Sequence, residues 1–256
     1  MAKPSRRNSR APGKSRLDAL VEARGLAASR TEAQALIRAG KIWSGDRRLD
    51  KPGHGVAADT ALELRGGADR WASRGGFKLD RALGHFDIDV AGAVALDIGA
   101  STGGFTDVLL SRGAARVYAV DVGRGQMLWR LRQDSRVTVL DRLNARYVTG
   151  EQVPEPVDAI VCDASFIGLE TILPAPLALA APGARLVALI KPQFEVGREA
   201  VGKGGIVRDA AARDAACERI AAWLAARDGW RVLGVVESPI EGAAGNREYL
   251  IAGERV

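Results

Sequence analysis

A chain of 256 residues is long enough for one large domain, or for a medium and a small one, so a peptide-sized or disulfide-stapled scaffold is excluded. Hydrophobic residues make up 47% and charged residues 27%, which are the proportions of a globular protein. The net charge of +6 is unevenly placed, because residues 1–74 carry 16 Lys and Arg against 8 Asp and Glu. The basic character therefore belongs to the N-terminal third.

The sequence favours neither a membrane protein nor a metal protein. The longest apolar candidate, Thr171 to Ile190, contains three prolines and falls short of the ~18 uninterrupted apolar residues of a span. The first residues lack the apolar region of a secretion signal. Cys162 and Cys217 have no CxxC spacing, which favours a reducing compartment over a cysteine-rich metal site. We expect a cytoplasmic protein without a metal ion.

The N-terminal third divides into a basic tail over residues 1–14 and a small α+β unit over residues 15–66. The tail carries cations, no acid and almost nothing apolar, so it is either a solvated disordered segment or an arm attracted to phosphate. In the unit, apolar spacing predicts helices over 17–22 and 30–39, and Ser29 with Glu32 forms a capping box for the second. Short strands are predicted over 41–43, 48–49 and 61–64.

The order helix, glycine, strand over residues 29–42 resembles the S4 domain, an RNA-binding module. The resemblance covers roughly Lys14 to Leu64. It implies that cations on one side of the helix pair neutralise RNA phosphates. The predicted RNA-binding residues are Arg16, Arg30, Arg38 and Lys41.

The pair Gly66-Gly67 marks a boundary, residues 67–76 are predicted to be a linker, and residues 77–256 form a second domain of alternating helices and strands. The strands are short and apolar on both faces, as a parallel sheet covered by helices requires. A loop joins the last two, which predicts an antiparallel pair. The fold class is α/β, a Rossmann-like doubly wound sheet of seven strands. The predicted strands cover 93–96, 116–120, 137–140, 158–162, 184–190, 230–237 and 247–251, and the predicted helices cover 77–85, 104–111, 127–132, 169–180 and 208–227.

A glycine-rich loop follows the first strand of this domain, at the sheet edge where open α/β folds bind ligands. Its spacing over residues 99–104 is GxxxGG, which is not the dinucleotide fingerprint, and Asp97 precedes it. Asp121 ends the second strand, where it can accept hydrogen bonds from ribose hydroxyls, and Asp141 follows the third, where it can face an adenine amino group. Three acids at successive strand ends indicate S-adenosylmethionine, a cationic and phosphate-free cofactor.

Four charged residues stand at or near strand ends of the same domain. Lys78 lies on the helix before the first strand, Asp163 ends the fourth, Lys191 ends the fifth and Glu248 opens the last. A lysine directly after a buried strand is costly unless it is paired. The four residues are either a catalytic cluster or, for Lys191 and Asp163, a structural salt bridge.

This cluster resembles the Lys-Asp-Lys-Glu tetrad of the FtsJ-type 2'-O-ribose methyltransferases. Together with the preceding S4-like unit and the stretches RGGFKL, DIGASTGGFTD, KPQFE, GKGGIVRD and GNREYL, it identifies the chain as a member of the TlyA (hemolysin A) family of ribosomal RNA methyltransferases. The resemblance implies a class I methyltransferase fold, S-adenosylmethionine as cofactor, ribosomal RNA or ribosomal subunits as partner, and Lys78, Asp163, Lys191 and Glu248 as catalytic residues. The implied cofactor-binding residues are Asp97, Gly99, Ser101, Gly103, Gly104, Phe105, Asp121 and Asp141.

The chemistry explains these residue types. A ribose 2'-hydroxyl is a weak nucleophile that must be held in line with the methyl group and relieved of its proton. Lys191 is expected to accept that proton or to stabilise the developing alkoxide, and Asp163 and Glu248 are expected to orient the two lysines.

Two other classes of function remain open at this point. The family name hemolysin suggests a membrane-acting toxin, although no spanning helix or export signal is found. A non-catalytic ribosome-binding or assembly factor is the other alternative, against which the intact tetrad and cofactor loop count.

Overall fold

The computed structural model describes residues 14–27, 29–45, 47–64, 71–242 and 245–256. It divides the chain into two compact units, residues 1–68 and 69–256. The predicted basic tail lies outside the described residues except for Lys14, and so does the predicted linker except for residues 71–76.

The described residues of the N-terminal unit form two helices and five very short strands. Its elements are β1 (Lys14–Arg16), α1 (Leu17–Ala23), α2 (Arg30–Arg38), β2 (Ile42–Ser44), β3 (Arg47–Arg48), β4 (Gly55–Ala57) and β5 (Glu63–Leu64). The strands form two antiparallel sheets, one of β1 and β4 and one in the order β3-β2-β5. Strands β1 and β4 were not predicted, because three residues are too few to show an alternating pattern and only their pairing makes them strands.

Apolar stripes on α1 and α2 build the core of this unit. Leu17 and Val21 of α1 and Ile37 of α2 are fully buried, together with Ile42 of β2. The predicted N-cap of α2 is confirmed, since Ser29 Oγ accepts a hydrogen bond of 3.2 Å from the backbone N–H of Glu32.

The C-terminal unit is a seven-stranded sheet covered by helices on both faces. Its strands are β6 (Val94–Ile98), β7 (Arg116–Asp121), β8 (Val137–Asp141), β9 (Val157–Cys162), β10 (Ala180–Ile190), β11 (Trp230–Glu237) and β12 (Tyr249–Arg255). Its helices are α3 (Gly75–His85), α4 (Gly104–Ser111), α5 (Trp129–Arg132), α6 (Leu169–Ile172), α7 (Pro174–Ala178), α8 (Pro192–Glu195) and α9 (Ala210–Ala225), with 3₁₀ turns at Ala145–Tyr147 and Arg198–Ala200.

The strand order is β11-β12-β10-β9-β6-β7-β8, and only the pairings of β12 are antiparallel. The predicted doubly wound α/β fold with a terminal antiparallel pair is thus confirmed. Successive residues of β6 point to opposite faces of the sheet: Ala95 belongs to the core cluster that includes Leu79 of α3, and Leu96 belongs to the cluster that includes Ile220 of α9. The chain leaves β6 toward β7 and later returns to the other side of β6 through β9. This places a topological switch point between β6 and β9, where such sheets bind ligands.

Most predicted boundaries are shifted by one to four residues, and three differences change how a segment is described. The helix predicted over 169–180 is two short helices, because Pro174 has no N–H to continue α6 and instead starts α7. Strand β10 begins at Ala180, before Pro182 and Gly183. Residues 71–76 are not a free linker, since Trp71 is buried in the core of the C-terminal unit and α3 begins at Gly75.

Candidate active site

Two adjoining clefts open at the carboxyl ends of β6 and β9. The first, of about 530 Å³, is lined by residues 73–75, the glycine loop after β6 and the ends of β9 and β10. The second, of about 510 Å³, is lined by the ends of β6 and β7 and by residues 143–145. Residues of the glycine loop and of the segment after β9 line both clefts, so a ligand in one can reach a ligand in the other.

The four predicted catalytic residues all line the first cleft and form two ion pairs. Lys78 Nζ donates to Glu248 Oε2 at 2.5 Å, and Lys191 Nζ lies 2.6 Å from Asp163 Oδ1. Lys191 Nζ also donates to the carbonyl oxygen of Asp163 at 3.2 Å and to Ser165 Oγ at 2.9 Å. The structure therefore brings together residues that are as far as 170 positions apart in the chain.

The fold explains why these charges are tolerated in a mostly buried place. Lys78 stands on α3, and Glu248 is the residue directly before β12, where its carboxylate reaches Lys78. Both side chains are buried, and a buried ion pair is stable only while each charge keeps its partner. Asp163 is the most accessible of the four, with 22% of its side chain exposed.

The glycine loop is a close-packed turn between β6 and α4. Gly99 and Gly103 have φ angles of +77° and +97°, which only glycine adopts without strain. A Cβ on Gly99 would lie 2.9 Å from the backbone Cα of Ala164, and one on Gly103 would overlap the side chain of Leu131. Ser101, Gly104 and Phe105 complete the loop along the first cleft. The loop therefore brings bare backbone to the junction of the two clefts.

Of the acids at the strand ends, Asp121 lines the second cleft as predicted. Its Oδ2 accepts from the N–H of Ser101 at 2.8 Å and its Oδ1 from the N–H of Gly123 at 2.7 Å, so the carboxylate is held rigidly at the cleft wall. Asp141, which was predicted to face an adenine amino group, lines neither cleft. It accepts from the N–H of Gly125 and from Arg132, and residues 143–145 line the cleft instead.

Asp97 lies behind the glycine loop rather than in either cleft. It is fully buried, and Thr106 Oγ1 on α4 donates to its Oδ2 at 2.6 Å. Its Oδ1 has no hydrogen-bond partner among the described residues. Burial, with smaller contributions from the charges of Asp163 and Asp121, raises the pKa of Asp97 to about 7. Because β6 continues to Ile98, Asp97 lies inside the strand and not at its end. Its side chain therefore joins β6 to α4 through Thr106 and does not line a cleft.

Residues 71–255 match the family of FtsJ-like methyltransferases. The chain belongs to this family. Residues 15–60 match the S4 domain. The chain thus carries an S4 domain followed by an FtsJ-like methyltransferase domain.

Individual relatives show which members of this family the chain resembles. The 16S/23S rRNA (cytidine-2'-O)-methyltransferase TlyA of Mycobacterium tuberculosis H37Rv is 48% identical over 239 residues, which are 93% of this chain and 89% of TlyA. Hemolysin A of Brachyspira hyodysenteriae is 38% identical over 92% of this chain and 98% of its own. A structure described as a hemolysin from Streptococcus thermophilus aligns with a TM-score of 0.73 and 42% identity over 96% of this chain and 90% of its own. The membership of the TlyA family predicted from the motifs is confirmed.

In the S4 domain, the four cations predicted to bind RNA have different surroundings. Arg16 and Arg30 both pair with the buried carboxylate of Asp18. Arg38, in the last turn of α2, is exposed, whereas Lys41 is half-buried and has a partner of its own. Arg16, Arg30 and Arg38 are thus all exposed to solvent, and two of them are also held by an acid.

The methyltransferase domain holds two residues that sequence reasoning missed. Phe166 lines both clefts, is 90% exposed and has a φ of +65°, and its ring centroid lies 5.1 Å from that of Phe194. Asn246 is buried, and its amide bridges the carbonyl oxygen of Gly205 and the N–H of Val207 at 2.8 and 3.0 Å. It thereby holds the glycine-rich stretch beside the first cleft. An aromatic side chain just after a strand-end aspartate was the signal for Phe166.

Two further findings concern the described part of the chain. It contains no helix that is long and apolar enough to cross a membrane. Within the same residues, no group of three or more His, Cys, Asp or Glu side chains is arranged to hold a metal ion.

The burial of Asp97 predicts a pH-dependent stability. Because its pKa in the folded state, about 7, is raised above the ordinary value of 3.8, the folded protein holds a proton that the unfolded chain has lost between these values. Asp97 therefore costs stability as the pH rises through this window, by up to about 1.4 kcal/mol per pH unit. We expect the stability of Asp97→Asn relative to the wild type to increase from pH 5 to pH 7 and to level off above it. Urea unfolding of both proteins across pH 5–8 measures this, and a difference independent of pH would show that Asp97 is ionised throughout.

Proposed function

We propose that this protein transfers the methyl group of S-adenosylmethionine to a ribose 2'-hydroxyl of ribosomal RNA. The observation that carries the proposal is the set of two ion pairs, Lys78 with Glu248 and Lys191 with Asp163, beside the junction of two clefts. The name of the relative TlyA, a 16S/23S rRNA (cytidine-2'-O)-methyltransferase, supports cytidine as the target nucleoside.

The second cleft fits the cofactor. The carboxylate of Asp121 on its wall can accept from ribose hydroxyls, and Ile98, Leu143 and Ile172 give it an apolar surface for a purine ring. Gly99, where even a Cβ has no room, lets a ligand approach the backbone closely. When bound there, S-adenosylmethionine supplies an electrophilic methyl group.

The first cleft supplies the groups that act on the hydroxyl. The three contacts of Lys191 Nζ, to Asp163 Oδ1, Asp163 O and Ser165 Oγ, equal the three donors of an ammonium group. A 2'-hydroxyl can therefore bind Lys191 only by replacing one of these three acceptors. Ser165 Oγ is the one to be replaced, because it carries the least negative charge of the three. As an ammonium group, Lys191 donates to the hydroxyl oxygen and stabilises the negative charge that develops there as the bond to carbon forms. As a neutral amine, which has a free lone pair and two donors, it would instead take the hydroxyl proton.

Lys78 adds a second positive charge to the same cleft wall, and Glu248 keeps it in place. Asp163 does the same for Lys191. The role of both carboxylates is to orient the lysines, because held geometry rather than charge alone makes an amine effective on a weak nucleophile.

We expect Phe166→Ala to weaken the reaction mainly through RNA binding. An exposed aromatic ring at the junction of the clefts offers a stacking surface for a base that is turned out of its RNA strand. Loss of one stacked base costs roughly 1–3 kcal/mol, so KM for RNA should rise while cofactor affinity stays within a factor of about two. Phe166→Trp keeps the ring and should retain most of the activity. An unchanged KM in Phe166→Ala would remove this residue from the substrate site.

The S4 domain supports an RNA partner for the whole chain. The excess of eight positive charges in residues 1–74 attracts a polyanion, and the rest of the chain has a balance of −2. A ribosomal substrate would place the protein in the cytoplasm, to which its two free cysteines are suited.

Mapping of 2'-O-methylated nucleotides by mass spectrometry, in ribosomal RNA with and without the protein, tests the proposal. We expect one or more modified cytidines in 16S or 23S RNA that depend on the protein. Ribosomal RNA that binds the protein but acquires no methyl group would indicate a non-catalytic ribosome-binding or assembly factor. Leakage of liposomes by RNA-free protein would indicate the hemolysin alternative.

Calorimetry tests the cofactor separately. S-adenosylmethionine should bind and NAD should not, because the loop lacks the GxGxxG spacing that accommodates a pyrophosphate. Comparable affinity for NAD would overturn the choice of cofactor.

A further inference from the structure

The S4 domain contains a fully buried carboxylate between two half-exposed arginines. Asp18 on α1 accepts two hydrogen bonds from Arg16, from Nε at 3.1 Å and from Nη2 at 2.8 Å. Arg30 on α2 approaches the same carboxylate with Nη2 at 3.3 Å from Oδ1 and Nε at 3.3 Å from Oδ2. Gln34 and the backbone N–H of Ala19 each add a hydrogen bond of 2.9 Å.

This carboxylate is ionised at neutral pH. The hydrogen bonds from Arg16 are the largest cause that holds the pKa of Asp18 well below its usual range, against the opposing effect of burial. A buried charge with this many donors is fixed in orientation, so it also fixes whatever pairs with it. Asp18 therefore determines where the two guanidinium groups lie.

Each arginine uses only one edge of its guanidinium for Asp18. The Nε and Nη2 edge faces the carboxylate, while about half of each side chain is exposed. Among the residues that the structure describes, no other carboxylate pairs with Arg16 or Arg30. A guanidinium has five N–H donors, so donors at the Nη1 end of each remain for another anion.

The surroundings of the pair are also basic. The Nη1 of Arg16 lies 3.4 Å from the position that a Cβ on Gly53 would take, and the chain neighbours of these two residues, Leu17 and His54, line a cavity of about 160 Å³. The charged or titratable residues that line this cavity are mostly basic, namely Arg47, Arg48, Lys51 and His54 beside Asp50. The Nη1 end of Arg16 therefore lies near a mostly basic cavity, and this positive field favours a phosphate over a neutral ligand.

We propose that Asp18 is a positioning residue that holds Arg16 and Arg30 side by side as a clamp for a backbone phosphate of RNA. The inference rests on the proposed function, since it takes the RNA substrate as given. Guanidiniums that are fixed before binding lose less freedom when the phosphate arrives, and they offer the parallel donors that phosphate oxygens accept. A negatively charged residue would thus strengthen the binding of a negatively charged ligand.

If only net charge mattered, Asp18→Asn would change RNA affinity in the opposite direction, and this variant therefore tests the proposal. Removing one negative charge should tighten RNA binding if only the field of the domain matters. If Asp18 positions the arginines, the variant should bind labelled 16S and 23S ribosomal RNA about fivefold or more weakly in filter binding with the full chain. Loss of the contact with this one phosphate should also reduce the slope of log K against log salt by about 0.7 to 0.9.

Asp50→Asn is the matched control. Asp50 lines the basic cavity and is exposed, so its replacement changes the charge equally without touching Arg16 or Arg30. It should bind RNA as tightly as the wild type or more tightly. If Asp18→Asn behaves like Asp50→Asn, the positioning role is wrong.

Two further variants keep the test valid if Asp18→Asn destabilises the domain. The double variant Arg16→Lys with Arg30→Lys retains both charges and Asp18 but loses the planar donors, and it should show the same weaker binding and shallower salt slope. In an Arg16→Ala, Arg30→Ala background, Asp18→Asn should cause no further loss, because Asp18 acts only through these arginines. Wild-type affinity in the lysine variant would overturn the proposal. Failure of the wild-type protein to bind either RNA would instead overturn the proposed function.

Discussion

Replacing Lys191 by alanine is expected to reduce methyl transfer by at least ~10² to 10⁴-fold, the effect of losing a positioned acid or base group. Its amine is the group of the first cleft with contacts to both the main chain and the side chain of Asp163. Cofactor and RNA affinity should stay close to those of the wild type, because the amine acts on the hydroxyl during the reaction rather than on either bound ligand. Single-turnover transfer of a tritiated methyl group to ribosomal RNA, beside calorimetry with S-adenosylmethionine, separates these effects.

The structure indicates that this variant folds. Asp163, the partner left behind, has 22% of its side chain exposed and can be solvated, unlike a fully buried carboxylate. Arg112→Ala is a suitable control, since it breaks the ion pair with Asp80 between α3 and α4, away from both clefts. That variant should lose some stability and keep its activity. If Lys191→Ala has the same phenotype as Arg112→Ala, the pair with Asp163 is only structural and Lys78 becomes the next candidate for the group that acts on the hydroxyl.

Replacing Gly99 by alanine is expected to lower the affinity for S-adenosylmethionine by about tenfold or more. The new Cβ would lie 2.9 Å from the Cα of Ala164, and a backbone atom cannot rotate away as a side chain can. The φ of +77° adds roughly 1–2 kcal/mol of strain for any residue with a Cβ. The glycine loop must move to relieve the close contact and the backbone strain, and it is this loop that forms the junction of the two clefts.

The variant Gly125→Ala separates the effect of the positive φ from the effect of the close contact with Ala164. Gly125 has a φ of +64°, and a Cβ there would meet nothing within 4 Å. It should therefore show the strain, as a modest loss of stability, with cofactor affinity within about threefold of the wild type. Calorimetry on both variants decides between them, and equal affinities would mean that the close approach at Gly99 has no part in cofactor binding.

The sequence by itself determined the class of fold and which charged residues stand at the edge of the sheet. Strands that are apolar on both faces can only be central strands of a covered sheet, so a charged residue that follows such a strand must stand at the sheet edge. Lys191 after β10 and Asp163 after β9 were found in this way. The GxxxGG loop was recognised for the same local reason, because glycines between a strand and a helix mark a close backbone turn. Such features lie within a few residues of one another and need no knowledge of the rest of the chain.

Only the tertiary structure decided which charges meet and which of them reach a cleft. Glu248 pairs with Lys78 because β12 inserts antiparallel between β10 and β11 and thereby brings its start to α3, an order of strands that no local pattern encodes. Asp97 and Asp121 look alike as acids at strand ends, yet the first is buried against Thr106 and the second lines the second cleft. Likewise, the sequence shows Arg16 and Arg30 only as two separate basic residues. The packing of α1 on α2 brings Asp18 between them. The physical reason is that side-chain environment depends on neighbours supplied by distant segments, whereas helix and strand patterns depend on neighbours in sequence.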